Sequence, residues 1–255
     1  MKTEIINQKK SKILVAVIDW DGTISLLREG WQKVMQEFIA NYISSGSPQK
    51  KDFDWAKNFI IKTLGENTID QMLGIIEKSV KNKRKILAEK LRREYRDILE
   101  EKIRAKRIKQ AKNNPDKFIV RGIAQFLEAL KKRDIKILVF SGSEQNGKNG
   151  IGQEARILRL EHYFDGVFGY NGPVRPYNKD NVLKWVIKKY RIKDPSQILV
   201  VGDGPKEIKV GKKFGAITIG LMSKNITKEI LIKSGADFVV YDSTDLVKCL
   251  KLLQK

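Results

Sequence analysis

The chain has one cysteine, Cys249, and one histidine, His162, in 255 residues. A lone cysteine excludes an internal disulfide, and the pair excludes a Cys/His zinc cluster. Both read as structural: Cys249 falls in the closing apolar pattern "DLVKCLKLL" and His162 in "LEHYFDG" at a helix end. Long apolar runs are missing too. No stretch approaches the ~18 unbroken apolar residues of a membrane-spanning helix, and the opening "MKTEIINQKKSK" lacks the apolar centre of a signal peptide. A soluble, cytoplasmic protein with no membrane partner is the expectation, its oligomeric state unmarked. Acidic side chains are outnumbered, 30 Asp and Glu against 51 Lys and Arg, for a formal charge of +21. Such a field concentrates anions, whether phosphorylated metabolites, nucleic acid or anionic lipid, without selecting among them.

What is present has a regular rhythm. Hydrophobic residues make up 41% of the chain, enough to fill a core. "KILVAVI" (12–18) reads as a buried strand, "IAQFLEALKKRD" as an amphipathic helix and "IKILVF" (135–140) as a second strand. Helix and strand then alternate through "EARILRLEHYF", "GVFGY", "KDNVLKWVIKKYRI", "QILVVG", "PKEIKVGKKFG", "AITIGL", "TKEILIKSG", "ADFVVY" and "STDLVKCLKLLQK". Apolar strands alternating with amphipathic helices predict an α/β fold, a Rossmann-like parallel sheet covered by helices on both faces.

Residues 25–118 break that rhythm. They carry helical patterns ("WQKVMQEFIANYI", "FDWAKNFIIKTLG", "IDQMLGIIEKSV") and then a long basic segment, with no convincing strand. Ile76, Val80, Leu87, Leu91, Tyr95, Ile98 and Ile103 fall on one helical face. From Glu77 to Asn113 there are fifteen Lys and Arg against six acids, and Pro115 ends the run. The expected organisation is a catalytic α/β core of residues 1–24 and 119–255, with an all-helical cap inserted at 25–118.

In parallel sheets of this kind, ligands bind beyond the carboxyl ends of the strands. The first strand runs into Asp19 and Asp21, "IKILVF" into Ser141 and Gly142, and "QILVVG" into Asp203. Carboxylates completed by water, a carbonyl and a substrate phosphate suit a hard cation such as Mg²⁺. One carboxylate can serve as a nucleophile, and a second, two positions on, can protonate a leaving oxygen and later activate water. Each element alone has a plainer reading: a turn for "DGT", a helix cap for Ser141, a surface lysine for Lys179, a first-turn acid favoured by the helix dipole for Glu207. Trp20 is expected to pack beneath the site. The glycine-rich "EQNGKNGIGQE" (144–154) lacks a following GK[ST] and reads as a mobile loop, not a nucleotide cradle.

Four motifs in order, "DWDGT" (19–23), Ser141 in "VFSGS", Lys179 in "KDNVLKWVI" and "VVGDGPKEI" (200–208), resemble the haloacid dehalogenase-like (HAD) hydrolase superfamily. The resemblance implies Asp19 as nucleophile and Asp21 as general acid/base whose carbonyl also binds Mg²⁺. It implies Ser141, Gly142 and Lys179 around the phosphoryl group, and Asp19, Asp21, Asp203 and Glu207 around the metal. At the fourth motif's second acid Asp is commoner than the Glu found here. Arg175, followed by Pro176, rivals Lys179 as the third-motif cation; Lys179 is preferred because it starts the helix leading to the fourth-motif strand. An acid at position 21 accords with phosphoryl transfer. The cap between the first two motifs resembles the phosphoglycolate phosphatase and β-phosphoglucomutase kind. A Mg²⁺-dependent phosphatase acting on a small phosphorylated metabolite through an aspartyl-phosphate is therefore expected. The alternatives are a phosphomutase of the same family and a nucleic-acid end phosphatase or binding protein using the basic helix, which has a single aromatic, Tyr95, for base stacking.

Overall fold

A computed structural model describes residues 3–7, 11–79, 85–147, 150–223 and 226–253. Seven strands form one sheet in the order β1-β7-β6-β5-β2-β3-β4. The strands are β1 (Thr3–Ile5), β2 (Val15–Asp19), β3 (Lys136–Glu144), β4 (Gly166–Tyr170), β5 (Ile198–Gly202), β6 (Ile217–Leu221) and β7 (Phe238–Val240). All neighbours pair in parallel except β1, which closes the β7 edge antiparallel with Thr3 opposite Val240. The sequence pattern did not mark β1: it is three residues long with no alternation to read.

Successive side chains on a strand point to opposite faces, and both faces here are covered, so β2 is apolar up to the Asp19 that ends it and β5 carries no polar side chain. Ala16, Ile18, Val139 and Val201 face one core, shared with Phe126 and Leu130 of helix α6 (Ile123–Lys131) and Leu250 of the C-terminal helix. Val15, Val17, Leu138 and Val200 face the other, against Val182 and Val186 of the helix that follows β4.

Among the described residues, 31–113 contribute helices and no strand. The helices are α1 (Trp31–Ile43), α2 (Lys50–Lys62), α3 (Thr68–Ser79), α4 (Lys85–Leu99) and α5 (Ala105–Asn113), with a π turn at Glu100–Arg104 joining the last two. They build their own core from Met35, Ile39, Ile60, Met72, Ile76, Leu91 and Tyr95. The long basic segment is thus not one helix: Ile76 lies on α3, while Leu87, Leu91, Tyr95 and Ile98 lie on α4, and Val80 is outside the described residues. Of the apolar stripe, Ile76, Leu91 and Tyr95 are buried in that same core, and Leu87, Ile98 and Ile103 pack half-buried against it.

The remaining helices are α7 (Ile151–Ile157), α8 (Lys179–Lys189), α9 (Pro205–Lys213), α10 (Lys228–Lys233) and α11 (Leu246–Leu253). The glycine-rich segment is shorter than its pattern suggested: Glu144 ends β3 and Ile151 already begins α7, while Lys148 and Asn149 lie outside the described residues.

The two connectors between sheet and cap run side by side. Leu26 N donates to Phe118 O at 2.8 Å and Val120 N to Ile24 O at 3.0 Å. The return connector ends at Gly122, whose φ of +83° is left-handed and whose added Cβ would lie 2.7 Å from Thr244 Cα. A side chain there meets both backbone strain and a backbone wall. Gly122→Ala is expected to lower stability by about 2 kcal/mol, measured as a drop in the urea midpoint; an unchanged midpoint would show that the connector adapts freely.

Candidate active site

The chain passes from β2 to β3 and β4 on one side, then returns to β5 on the other. This reversal opens a crevice at the carboxyl ends of β2, β3 and β5. Asp19, Asp21, Ser141, Gly142, Lys179, Asp203 and Glu207 all line that crevice. Its opposite wall is helical and includes Trp31, Met35, Arg92, Arg96 and Leu99.

Asp19 closes β2 and is 6% exposed. Lys179, the first residue of α8, reaches across with Nζ 2.7 Å from Asp19 Oδ1, and it also donates to Glu207 Oε1. α8 is capped by Asn178, whose Oδ1 accepts from Asn181 N at 2.7 Å, so the lysine backbone is fixed at a helix start. Arg175, its rival, is exposed, and its Nε donates toward Gly172 O at 3.4 Å. The structure brings Lys179, and not Arg175, to Asp19.

Asp21 is held by Ser141 together with two groups that sequence reading did not single out, Ser143 and Arg28. Its Oδ2 accepts from Ser141 Oγ at 3.1 Å and Ser143 Oγ at 2.9 Å, and its Oδ1 from Arg28 Nη1 at 2.9 Å. Thr23 ties the first and fourth motifs together: its Oγ1 accepts from Asp203 N at 3.0 Å and lies 3.4 Å from Asp203 Oδ1. Gly142 sits under the cap; a Cβ there would lie 2.7 Å from Glu66 O, so a larger residue would push cap and core apart. Trp20 is fully buried, packed edge-on to Phe164, and its Nε1 donates to Glu154 Oε2 at 2.8 Å. Ser143 and Thr23 stand inside the quoted motifs and could have been marked there. Arg28 and Glu154 carry no local pattern.

Burial, opposed by Lys179, raises the Asp19 carboxyl above its ordinary value. Burial and then the Asp19 charge push Asp203 up to about 7. Burial and the nearby Asp19 also lift the Tyr177 phenol well above its usual range. Carboxylates crowded this way favour a cation between them. Glu207 Oε2 is buried with no hydrogen-bond partner, an acceptor left over after Lys179 takes Oε1. Asp19 and Asp203, with that unpaired oxygen nearby, are hard oxygen donors of the type Mg²⁺ takes. The Asp21 carboxylate is engaged by Arg28 and two serines, which leaves its backbone carbonyl as the donor it could offer. Among the described residues, no three acidic, His or Cys side chains are gathered tightly enough to enclose an ion alone. Water and substrate oxygens would complete the shell.

The family model for haloacid dehalogenase-like hydrolases matches residues 13–215. No curated protein sequence is significantly similar to the chain. Among solved structures, β-phosphoglucomutase from Clostridium difficile superposes with a TM-score of 0.69 at 16% identity, covering 94% of this chain and 97% of that one. A predicted phosphatase from Clostridium acetobutylicum gives 0.66 at 17%, covering 94% and 99%. A predicted phosphoglycolate phosphatase from Haemophilus somnus gives 0.61 at 18%, also covering 94% and 99%. At these identities the likeness is one of fold.

The raised Asp203 has a consequence for stability. Between its ordinary 3.8 and about 7, the folded chain keeps a proton that the unfolded chain has lost, so stability falls as pH rises through that window. In chelator, the thermal midpoint is expected to be higher at pH 5.5 than at pH 7.5, and Asp203→Asn is expected to narrow the gap. An identical gap in the variant would assign the dependence to other groups.

Proposed function

Given that the chain belongs to the haloacid dehalogenase-like hydrolase family, we propose that it hydrolyses a phosphomonoester of a small metabolite through an aspartyl-phosphate on Asp19, with Mg²⁺. The observation that carries this reading is the contact of Lys179 with a buried Asp19 at the floor of a crevice roofed by the cap, with Asp21 two residues on. The Asp19 carboxylate attacks phosphorus and the bond to the leaving oxygen breaks, while Asp21, entering the step protonated on Oδ2 with the Ser141 and Ser143 hydroxyls turned away from it, delivers that proton to the leaving oxygen. Water then attacks the phosphorus of the acyl phosphate, Asp21 takes the water proton, and the bond to Asp19 breaks to release phosphate. The Ser141 hydroxyl, the Gly142 backbone and the Lys179 ammonium are positioned to hold the phosphoryl oxygens, where fixed donors act most strongly in a site that excludes water. Mg²⁺ held by Asp19, Asp203 and the Asp21 carbonyl, with Glu207 beside them, would offset the charge of the transferring group.

The engagement of the cap's arginines favours a small substrate over nucleic acid. Arg92 and Arg96 pair with Glu144, Arg104 with Glu154 and Glu100, and Arg107 Nη1 donates to Leu26 O at 2.8 Å and Glu29 O at 2.7 Å. Four of the segment's six arginines thus serve internal contacts, not an outward phosphate-binding stripe.

Phosphate release from a panel of sugar phosphates, phosphoglycolate, nucleotides and phosphorylated oligonucleotides tests the proposal. One small ester is expected to dominate, with turnover lost in EDTA and restored by Mg²⁺; preference for oligonucleotide ends would overturn the substrate class. Asp19→Asn should reduce turnover by at least about 10³-fold with folding intact by circular dichroism. Turnover retained in that variant would remove Asp19 as nucleophile.

A further inference from the structure

Behind the strand ends lies a buried set of charges that the chemistry above does not use. Glu154, in α7, is fully buried. Its Oε1 accepts from Arg104 Nε at 2.6 Å and pairs with Arg28 Nη2 at 2.8 Å, and its Oε2 accepts from Trp20 Nε1 at 2.8 Å. Arg28 faces two ways, because its Nη1 donates to Asp21 Oδ1 at 2.9 Å. The Arg28 and Arg104 side chains are only 8% and 4% exposed.

Each member belongs to a different part of the molecule. Asp21 follows β2 in the site, Arg28 lies on the outgoing connector, Glu154 is on the sheet domain, and Arg104 is on the π turn of the helix returning from the cap. A planar guanidinium engaging two carboxylates with separate nitrogens fixes their relative placement in a way a single ammonium cannot. Asp21 Oδ2 is already committed to Ser141 and Ser143, so Arg28 is what holds Oδ1.

We propose that Arg28 is a positioning residue for Asp21, and that the Arg28–Glu154–Arg104 chain makes the placement of that acid depend on the seating of the cap. The inference rests on Asp21 acting as proton donor to the leaving oxygen. Its signature is dependence on the leaving group. p-Nitrophenolate departs with little protonation, whereas an alkoxide needs a proton as the bond breaks.

The test measures kcat and KM for p-nitrophenyl phosphate and for the best alkyl phosphate from the panel, in the parent, Arg28→Gln, Arg28→Lys, Arg104→Gln and Asp21→Asn, with thermal midpoints as a folding control. Arg28→Gln is expected to lose at least about tenfold more kcat on the alkyl ester than on the aryl ester, with KM changed by less than about threefold. Arg28→Lys keeps a cation beside Glu154, guards against a folding defect, and should show the same selectivity to a smaller degree. Arg104→Gln, which removes the pairing of Arg104 with Glu154 and Glu100, should also show it. Equal losses on both esters in the Arg28 variants, alongside an alkyl-selective loss in Asp21→Asn, would overturn the positioning role and leave the acid assignment standing. No alkyl-selective loss in Asp21→Asn itself would overturn the acid assignment, and this inference with it.

Discussion

The structure is organised around one electrostatic constraint, the burial of carboxylates at the tips of adjacent strands with one ammonium among them. Asp19, Glu207 and Lys179 are 6%, 1% and 3% exposed, and Asp203 shares their space. Like charges brought together out of water oppose folding unless a fixed counter-charge intervenes, and removing one partner of a buried pair costs about 3–5 kcal/mol. Lys179 is therefore as much a structural residue as a candidate phosphate ligand. Asn178 caps the helix that Lys179 begins, and with Lys179 engaging Glu207 Oε1 the second oxygen of that acid is left buried without a partner. Groups aligned in advance of the reaction are costly in the resting protein and useful during phosphoryl transfer.

The strongly basic composition resolves into two populations. Among the arginines, 28, 92, 96, 104 and 107 act within the molecule, bridging carboxylates or backbone carbonyls across the crevice and its connectors. Lysines such as Lys106 and Lys109 stay exposed on α5. Arginine suits the first task because its fork engages two acceptors at once, and lysine the second because its compact charge stays hydrated.

The sheet was legible because burial on both faces makes strands continuous and apolar, and the helices between them keep a clear period. Asp19, Ser141, Lys179 and Asp203 were legible for the same reason: each sits at the end of such a segment. β1 was not, since three residues with one buried side chain carry no pattern. That Ile76 and Leu91 belong to two helices was hidden because α3 and α4 continue the same apolar spacing. Arg28, Glu154 and Arg104 were invisible because Glu154 meets both arginines from 50 or more positions away, and a buried charge looks like a surface one in one dimension. Glu154 in particular was read at the seam between a glycine-rich loop and the helix "EARILRLEHYF", where nothing marks a buried acid.

The π turn at Glu100–Arg104 divides one rod between two hydrophobic cores. Before it, Leu91, Tyr95 and Leu99 pack within the cap; after it, Ala111 and Ile108 pack against the sheet domain. An extra residue in the turn rotates everything downstream by about 100° relative to an uninterrupted α-helix. The rod works as a cranked shaft whose two faces are phased by that single offset. A one-residue change in the turn would rotate Arg104 and Ala111 by that same angle and carry both off their partners. Phase, more than length, is what this helix has to conserve.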